Sequence, residues 1–129
     1  MIGFTPKYPV VVDLCNGLWR LHEGLAYFAP DGRAWAIPEG FEMDFGSIPE
    51  PLEWLPGLEP YGSEGDCPYA LHDWLYYSHR SGQDRCRDRK DADQILYDSL
   101  RVCGVGRVRA YVIWCGVRVG GWIAWNSKI

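Results

Sequence analysis

The sequence predicts an α+β domain: antiparallel hairpins at the N-terminal end, packed against about three C-terminal helices. Two observations carry that prediction. Short runs rich in β-branched and aromatic residues, separated by Asn-Gly, Glu-Gly and Pro-Asp-Gly, fill the first third of the chain. Apolar residues then recur at helical spacing through the last half. A length of 129 residues, 47% of them hydrophobic, suits one domain with one substantial core, taken here as residues 1–129.

The strand-rich part spans residues 8–45. YPVVVDL, WRLHE, LAYF and RAWAI are the candidate strands. Asp31-Gly32 is the best hairpin signal, because both residue types tolerate the backbone angles of a tight reversal. From Pro38 to Pro68, six prolines and five glycines break up regular structure, so residues 46–68 are expected to form ordered loops, anchored to the core by Trp54 and Tyr61.

Residues 69–125 read as helical. Leu71, Leu75 and Tyr76 give the first a packing stripe, and Ala92, Ile95, Leu96, Ser99 and Cys103 give the second one. Asp88 is placed as the N-cap of the second helix, with Asp91 near its positive end. Gly104 and Gly106 separate it from a third helix, whose stripe runs Val108, Tyr111, Val112, Cys115, Val119 and Trp122. Trp114, Trp122 and Trp125 could form a membrane-facing ridge, but burial against the sheet is the simpler expectation.

Composition excludes several classes. The aromatic content, including seven tryptophans and eight tyrosines, argues against disorder. No basic segment followed by an apolar run suggests a signal peptide, and Arg109 and Arg118 interrupt the most apolar window, so no transmembrane span is expected. Five cysteines without CxxC or HxxxH spacing point to free structural thiols rather than a disulfide scaffold or zinc site.

The net charge of −4 divides unevenly. Residues 1–79 hold three Lys/Arg against twelve Asp/Glu, and residues 80–129 hold ten against five. The basic half could attract phosphate or an acidic partner, or the halves could neutralise one another. Within it, Arg89 and Lys90 are candidate phosphate or headgroup contacts, although Asp84, Asp88, Asp91 and Asp93 interleave the basic run. No nucleic-acid module is present, and no specific nucleic acid is expected.

The candidate chemistry lies in LHDWLY and the following DRKDADQILYDSL. His72 and Asp73 are adjacent on a helix and project about 100° apart, so the two would act separately, His72 as a base and Asp73 as a ligand for a hard cation. Asp93 can approach His72 from the next helix and hold one ring nitrogen. A structural network is the alternative, with Asp73 on Arg89 and Asp93 on Arg101 or Arg107. Asp44 could join such a site, or could cap the turn through Gly46 and Ser47.

IPEGFEMDFGSIP at 37–49, LHDWLY at 71–76, DRKDADQILYDSL at 88–100 and GVRVGGWIAW at 116–125 together resemble the phage and prophage family DUF1353. That resemblance spans roughly residues 8–125. It implies a phage-associated protein, present in the host cytoplasm during assembly or carried in the virion, with other phage proteins as partners. Over about 30 residues, HDWLY followed by ADQILYDSL also resembles the two-helix active-site layout of phospholipase A2. This narrower resemblance implies His72 as the water-activating base, Asp93 as its orienting carboxylate, Asp73 as a calcium ligand, and Tyr76 as the tyrosine of the HDxxY pattern. It also implies a lipid or membrane surface as partner. YGSEG at 61–65, with Tyr61, loosely resembles the associated calcium loop, and MDFGS with Asp44 offers another route to the metal. The two functions that follow are a calcium-assisted ester hydrolase and a non-enzymatic phage structural or assembly adaptor.

Overall fold

The computed structural model describes residues 1–16, 18–43 and 66–127. Among the described residues, six short strands precede three helices: β1 (Gly3–Thr5), β2 (Val11–Asp13), β3 (Trp19–Leu21), β4 (Leu25–Phe28), β5 (Ala34–Ile37), β6 (Glu42–Met43), α1 (Asp66–Arg80), α2 (Arg89–Val102) and α3 (Arg107–Asn126). The strands make two three-stranded antiparallel sheets, ordered β1-β4-β5 and β2-β3-β6. The α+β prediction holds, with hairpins packed against a three-helix bundle.

The β4–β5 hairpin turns at Asp31-Gly32 as expected, with Gly32 at φ 93°. Side chains alternate along it, so Leu25 and Tyr27 face inward from β4, and Trp35 and Ile37 from β5. They meet Leu71 and Leu75 of α1 and Leu96 and Leu100 of α2 in one core. The Trp35 indole donates to the Arg85 carbonyl at 2.7 Å, tying the hairpin to the connection between α1 and α2.

Asp88 caps α2 as its sequence position predicts: its carboxylate accepts from the Asp91 amide at 2.8 Å. Asp91 does more than complement the helix end. It takes a two-pronged ion pair from Arg33, at 2.8 and 3.1 Å, and so pins the hairpin to the start of α2. The Arg33 hydrogen bond is the main reason that the Asp91 carboxyl lies below its ordinary pKa.

α3 departs from its expected burial. Among the described residues its main packing is on α2 and α1. Val108, Tyr111, Val119 and Trp122, read as an inward stripe, are exposed, and Ile123 with them. Ala110 and Ile113, on the other side, are its buried residues. α3 is apolar on both sides, and periodicity alone does not say which apolar side meets the protein. Trp125 is half-buried against Tyr76 and His79, and Trp114 is also half-buried. The five cysteines are free thiols. No described helix is long and apolar enough to cross a membrane.

Candidate functional site

α1 presents His72 and Tyr76 one turn apart, so both project from the same side of the helix. α2 presents Asp93 toward them. His72 Nε2 lies 2.8 Å from Asp93 Oδ1, and the Tyr76 hydroxyl donates to the same oxygen at 2.6 Å. Asp93 is fully buried and His72 is 8% exposed. Of the pairings open to Asp93, the one with His72 is the one formed.

The second oxygen is equally occupied. Arg118 of α3 donates from Nη1 to Asp93 Oδ2 at 2.8 Å, and Arg89 donates from Nη1 to Oδ2 at 3.3 Å. Arg89 also donates to the carbonyls of Val117 and Arg118, at 3.0 and 3.2 Å. Asp93 therefore collects donors from all three helices. The alternative pairing with Arg101 or Arg107 gives way to Arg89 and Arg118, and Arg101 donates instead to the Val105 carbonyl. The Arg89 guanidinium, read as a headgroup contact, is engaged inside the helix bundle, whereas Lys90 is exposed.

Burial opposes ionisation of Asp93, yet the hydrogen bond and charge of His72, with the bonds from Tyr76 and Arg118, outweigh it. The net direction is downward, so the carboxylate form is favoured. Burial, and then the bond to Asp93, push the Tyr76 phenol upward and keep it a proton donor. An ionised Asp93 only accepts hydrogen bonds, so Nε2 of His72, which faces it, carries a proton in either charge state of the ring, and the neutral form is the Nε2–H tautomer. Nδ1 is then left with the basic lone pair.

His72 and Asp73 open onto a cleft of about 640 Å³ between α1 and α3. Phe41, Met43, Val117 and Ile123 supply apolar wall, while Arg80 and Glu42 add charge. Asp73 is half-buried there. Gly121 allows α3 to approach: a Cβ at that position would stand 2.5 Å from the Tyr76 hydroxyl and 3.1 Å from Arg89 Nη1. Asp44 and Tyr61, with the YGSEG and MDFGS segments that contain them apart from Met43, lie outside the described residues. No group of three or more His, Cys, Asp or Glu side chains able to hold a metal occurs among the described residues.

Sequence reasoning missed Arg118, because nothing local marks a residue 25 positions beyond Asp93 as its partner. The missing acids of α3 were the available signal: a half-buried arginine there has to find its counter-charge on another helix.

The model of the family described as "Protein of unknown function (DUF1353)" matches residues 19–117, well over half of the chain, and the chain belongs to that family. No curated protein and no solved structure matches it.

Proposed function

We propose that this member of the DUF1353 family is a hydrolase in which His72 activates water against an ester bound in the cleft between α1 and α3. The observation that carries this reading is the contact of a cleft-lining histidine with a fully buried carboxylate at 2.8 Å. Asp93 fixes the ring and its tautomer, and it stabilises the imidazolium that forms on proton transfer. A water proton passes to Nδ1 of His72 as the water oxygen attacks the ester carbonyl carbon. The imidazolium then returns that proton to the departing alkoxide, giving an acid and an alcohol. The apolar walls suit a substrate with an acyl chain, and the short resemblance to phospholipase A2 points the same way.

Calcium belongs to this reading as a cofactor for Asp73, the described carboxylate beside the base. Its chemistry would be to polarise the carbonyl and stabilise charge on its oxygen. The described residues do not by themselves form a complete cage, so the steps above rest on the chain's own groups. The phage-associated and virion settings are proposals drawn from the motif resemblance, as are phage proteins and lipid surfaces as partners.

One observation favours a second reading, that of a non-enzymatic phage adaptor. Asp93 Oδ2 is held by Arg118 and Arg89, as a purely structural knot joining three helices would require. Hydrolysis of dispersed phospholipid by purified protein, with and without calcium, separates the two. Product formation by the wild type that falls about a hundredfold or more in His72→Gln is the expected result, from the usual contribution of a general base. An inactive, folded wild type under both conditions would leave the adaptor reading standing. Particle proteomics tests the virion setting.

A further inference from the structure

A second cleft, of about 450 Å³, opens between the tip of the β4–β5 hairpin and α2. Ala29, Pro30, Ile95 and Val102 give it apolar wall, and Asp31, Arg33, Asp98 and Arg101 stand around it. Apolar wall with a few polar groups, at this size, is the composition of small-molecule sites. It shares no lining residue with the cleft of His72 and Asp73.

Tyr27 of β4 also lines this second cleft. The residue is 1% exposed, and its hydroxyl is buried with no hydrogen-bond partner among the described residues. Burying a hydroxyl unpaired is costly, so a tyrosine here needs a reason that phenylalanine would not meet. Packing is not that reason, because the ring contacts with Phe4 and Trp35 use none of its polarity. Burial, and then the charge of Asp98, push the phenol pKa upward, so the hydroxyl is a donor that calls for an acceptor.

The charged groups around the cleft differ in how they are engaged. Arg33 is committed: Nε bonds Asp31, and its two Nη atoms bond Asp91. Asp31 is likewise held by the amide and Nε of Arg33. Arg101 gives Nη1 to the Val105 carbonyl at 2.7 Å, and Asp98 accepts from Gln94 at 3.0 Å. Asp98 and Arg101 are three residues apart on α2 and so lie on one side of it, yet neither is in an ion pair among the described residues. A cation, a carboxylate and a buried donor thus border one cleft without answering one another.

We propose that this cleft binds a small zwitterion, an α-amino acid with a short apolar side chain. Its carboxylate takes the Arg101 guanidinium and the Tyr27 hydroxyl, its ammonium sits against Asp98, and its side chain lies on Ile95 and Val102. A simple anion would meet Asp98 and a simple cation would meet Arg101, each at a like-charge cost that the zwitterion avoids. The site stands or falls apart from the hydrolytic reading, because the two clefts have no lining residue in common.

The test is titration of the isotopically labelled full chain with L-valine, followed by amide chemical shifts. Saturable shifts at the hairpin tip and along the second half of α2 are expected in the millimolar range or below. Isovalerate, which lacks the amine, and isobutylamine, which lacks the carboxylate, are each expected to bind at least about tenfold more weakly. Tyr27→Phe removes the hydroxyl alone and should weaken valine about tenfold, with the melting temperature kept or raised because no intramolecular bond is lost. Arg101→Met should weaken valine by at least as much. Absence of saturable shifts with L-valine would overturn the proposal. Equal binding of either analogue would rule out a zwitterion site, and valine binding untouched by Tyr27→Phe would remove the hydroxyl from it. A Tyr27→Phe protein that melts well below the wild type would show that the hydroxyl already has a partner, and would sink the proposal as well.

Discussion

Arg118 Nη1 and His72 Nε2 approach opposite oxygens of the one Asp93 carboxylate, each at 2.8 Å, so a cleft residue of α1 and a residue of α3 are joined through a single buried group. Asp93→Asn would keep the side chain's size and remove its charge. Breaking a buried charge cluster by deleting one partner costs about 3–5 kcal/mol. Urea unfolding of the variant should show a loss of that order, and proton transfer by His72 should fail with it. A loss under about 1 kcal/mol would mean that Asp93 is not ionised in the folded protein.

Acid should expose the same dependence. Asp93 and Asp91 both have folded pKa values below their ordinary ones. A depressed carboxyl contributes stability that is fully present above the unfolded value of about 4 and is lost as pH falls through the folded value. Unfolding free energy is therefore expected to hold steady from neutrality to about pH 5 as far as these two groups are concerned, then to decline. In Asp93→Asn the decline should be shallower. An equal acid slope in both proteins would remove Asp93 from the account.

The Arg33–Asp91 pair makes a separate prediction for the hairpin. Arg33→Ala should destabilise the protein by about 1–3 kcal/mol, because Asp91 is mostly shielded from water and loses two charge-assisted bonds. Arg33→Lys should recover part of this only, since an ammonium cannot reproduce the planar two-pronged contact. Chemical denaturation of the three proteins checks the order.

Neighbouring glycines on α3 should respond with opposite signs. Gly121→Ala places a methyl group against the Tyr76 hydroxyl and Arg89 and should cost about 1–3 kcal/mol, as overpacking does. Gly120→Ala meets nothing within 4 Å and should gain about 0.5–1 kcal/mol from helix propensity. Melting temperatures of the two variants moving the same way would contradict the packing at Gly121.

For the metal, Asp73→Asn is expected to lose calcium-dependent ester hydrolysis and calcium binding by calorimetry, while circular dichroism stays near that of the wild type. Asn keeps one carbonyl acceptor and removes the negative charge that favours a hard cation. Full activity in a well-folded variant would sink the assigned role of Asp73.

Much of the fold was legible where local chemistry decides it. Gly32 needed positive φ at the hairpin, Asp88 capped its helix, and Ile95 and Leu96 followed a helical period into the core. β1 was not read, because a strand of three residues is too short to show alternation and owes its pairing to β4. The proximity of His72 and Asp93 could be anticipated from two helices joined by a short connection. Arg89 was misread as outward because the run it belongs to is mostly exposed, and only the arrival of the α3 carbonyls explains why it turns in. The outward stripe of α3 shows the same limit: the period fixes a face, and the neighbouring elements fix its direction.

The convergence of three helices on Asp93 also bears on how the protein breathes. A local opening that lifts α3 away would strip Arg118 from the carboxylate and free the Val117 and Arg118 carbonyls from Arg89. Buried backbone amides of α1, α2 and α3 near this group should then exchange with solvent deuterium as one cooperative unit, at rates set by a shared opening free energy. Fraying at the exposed Asn126 and Ser127, past the Trp125 contact with α1, should remain independent of it. In hydrogen exchange, the imidazole's neighbours would thus mark the slowest-exchanging layer of the helical half.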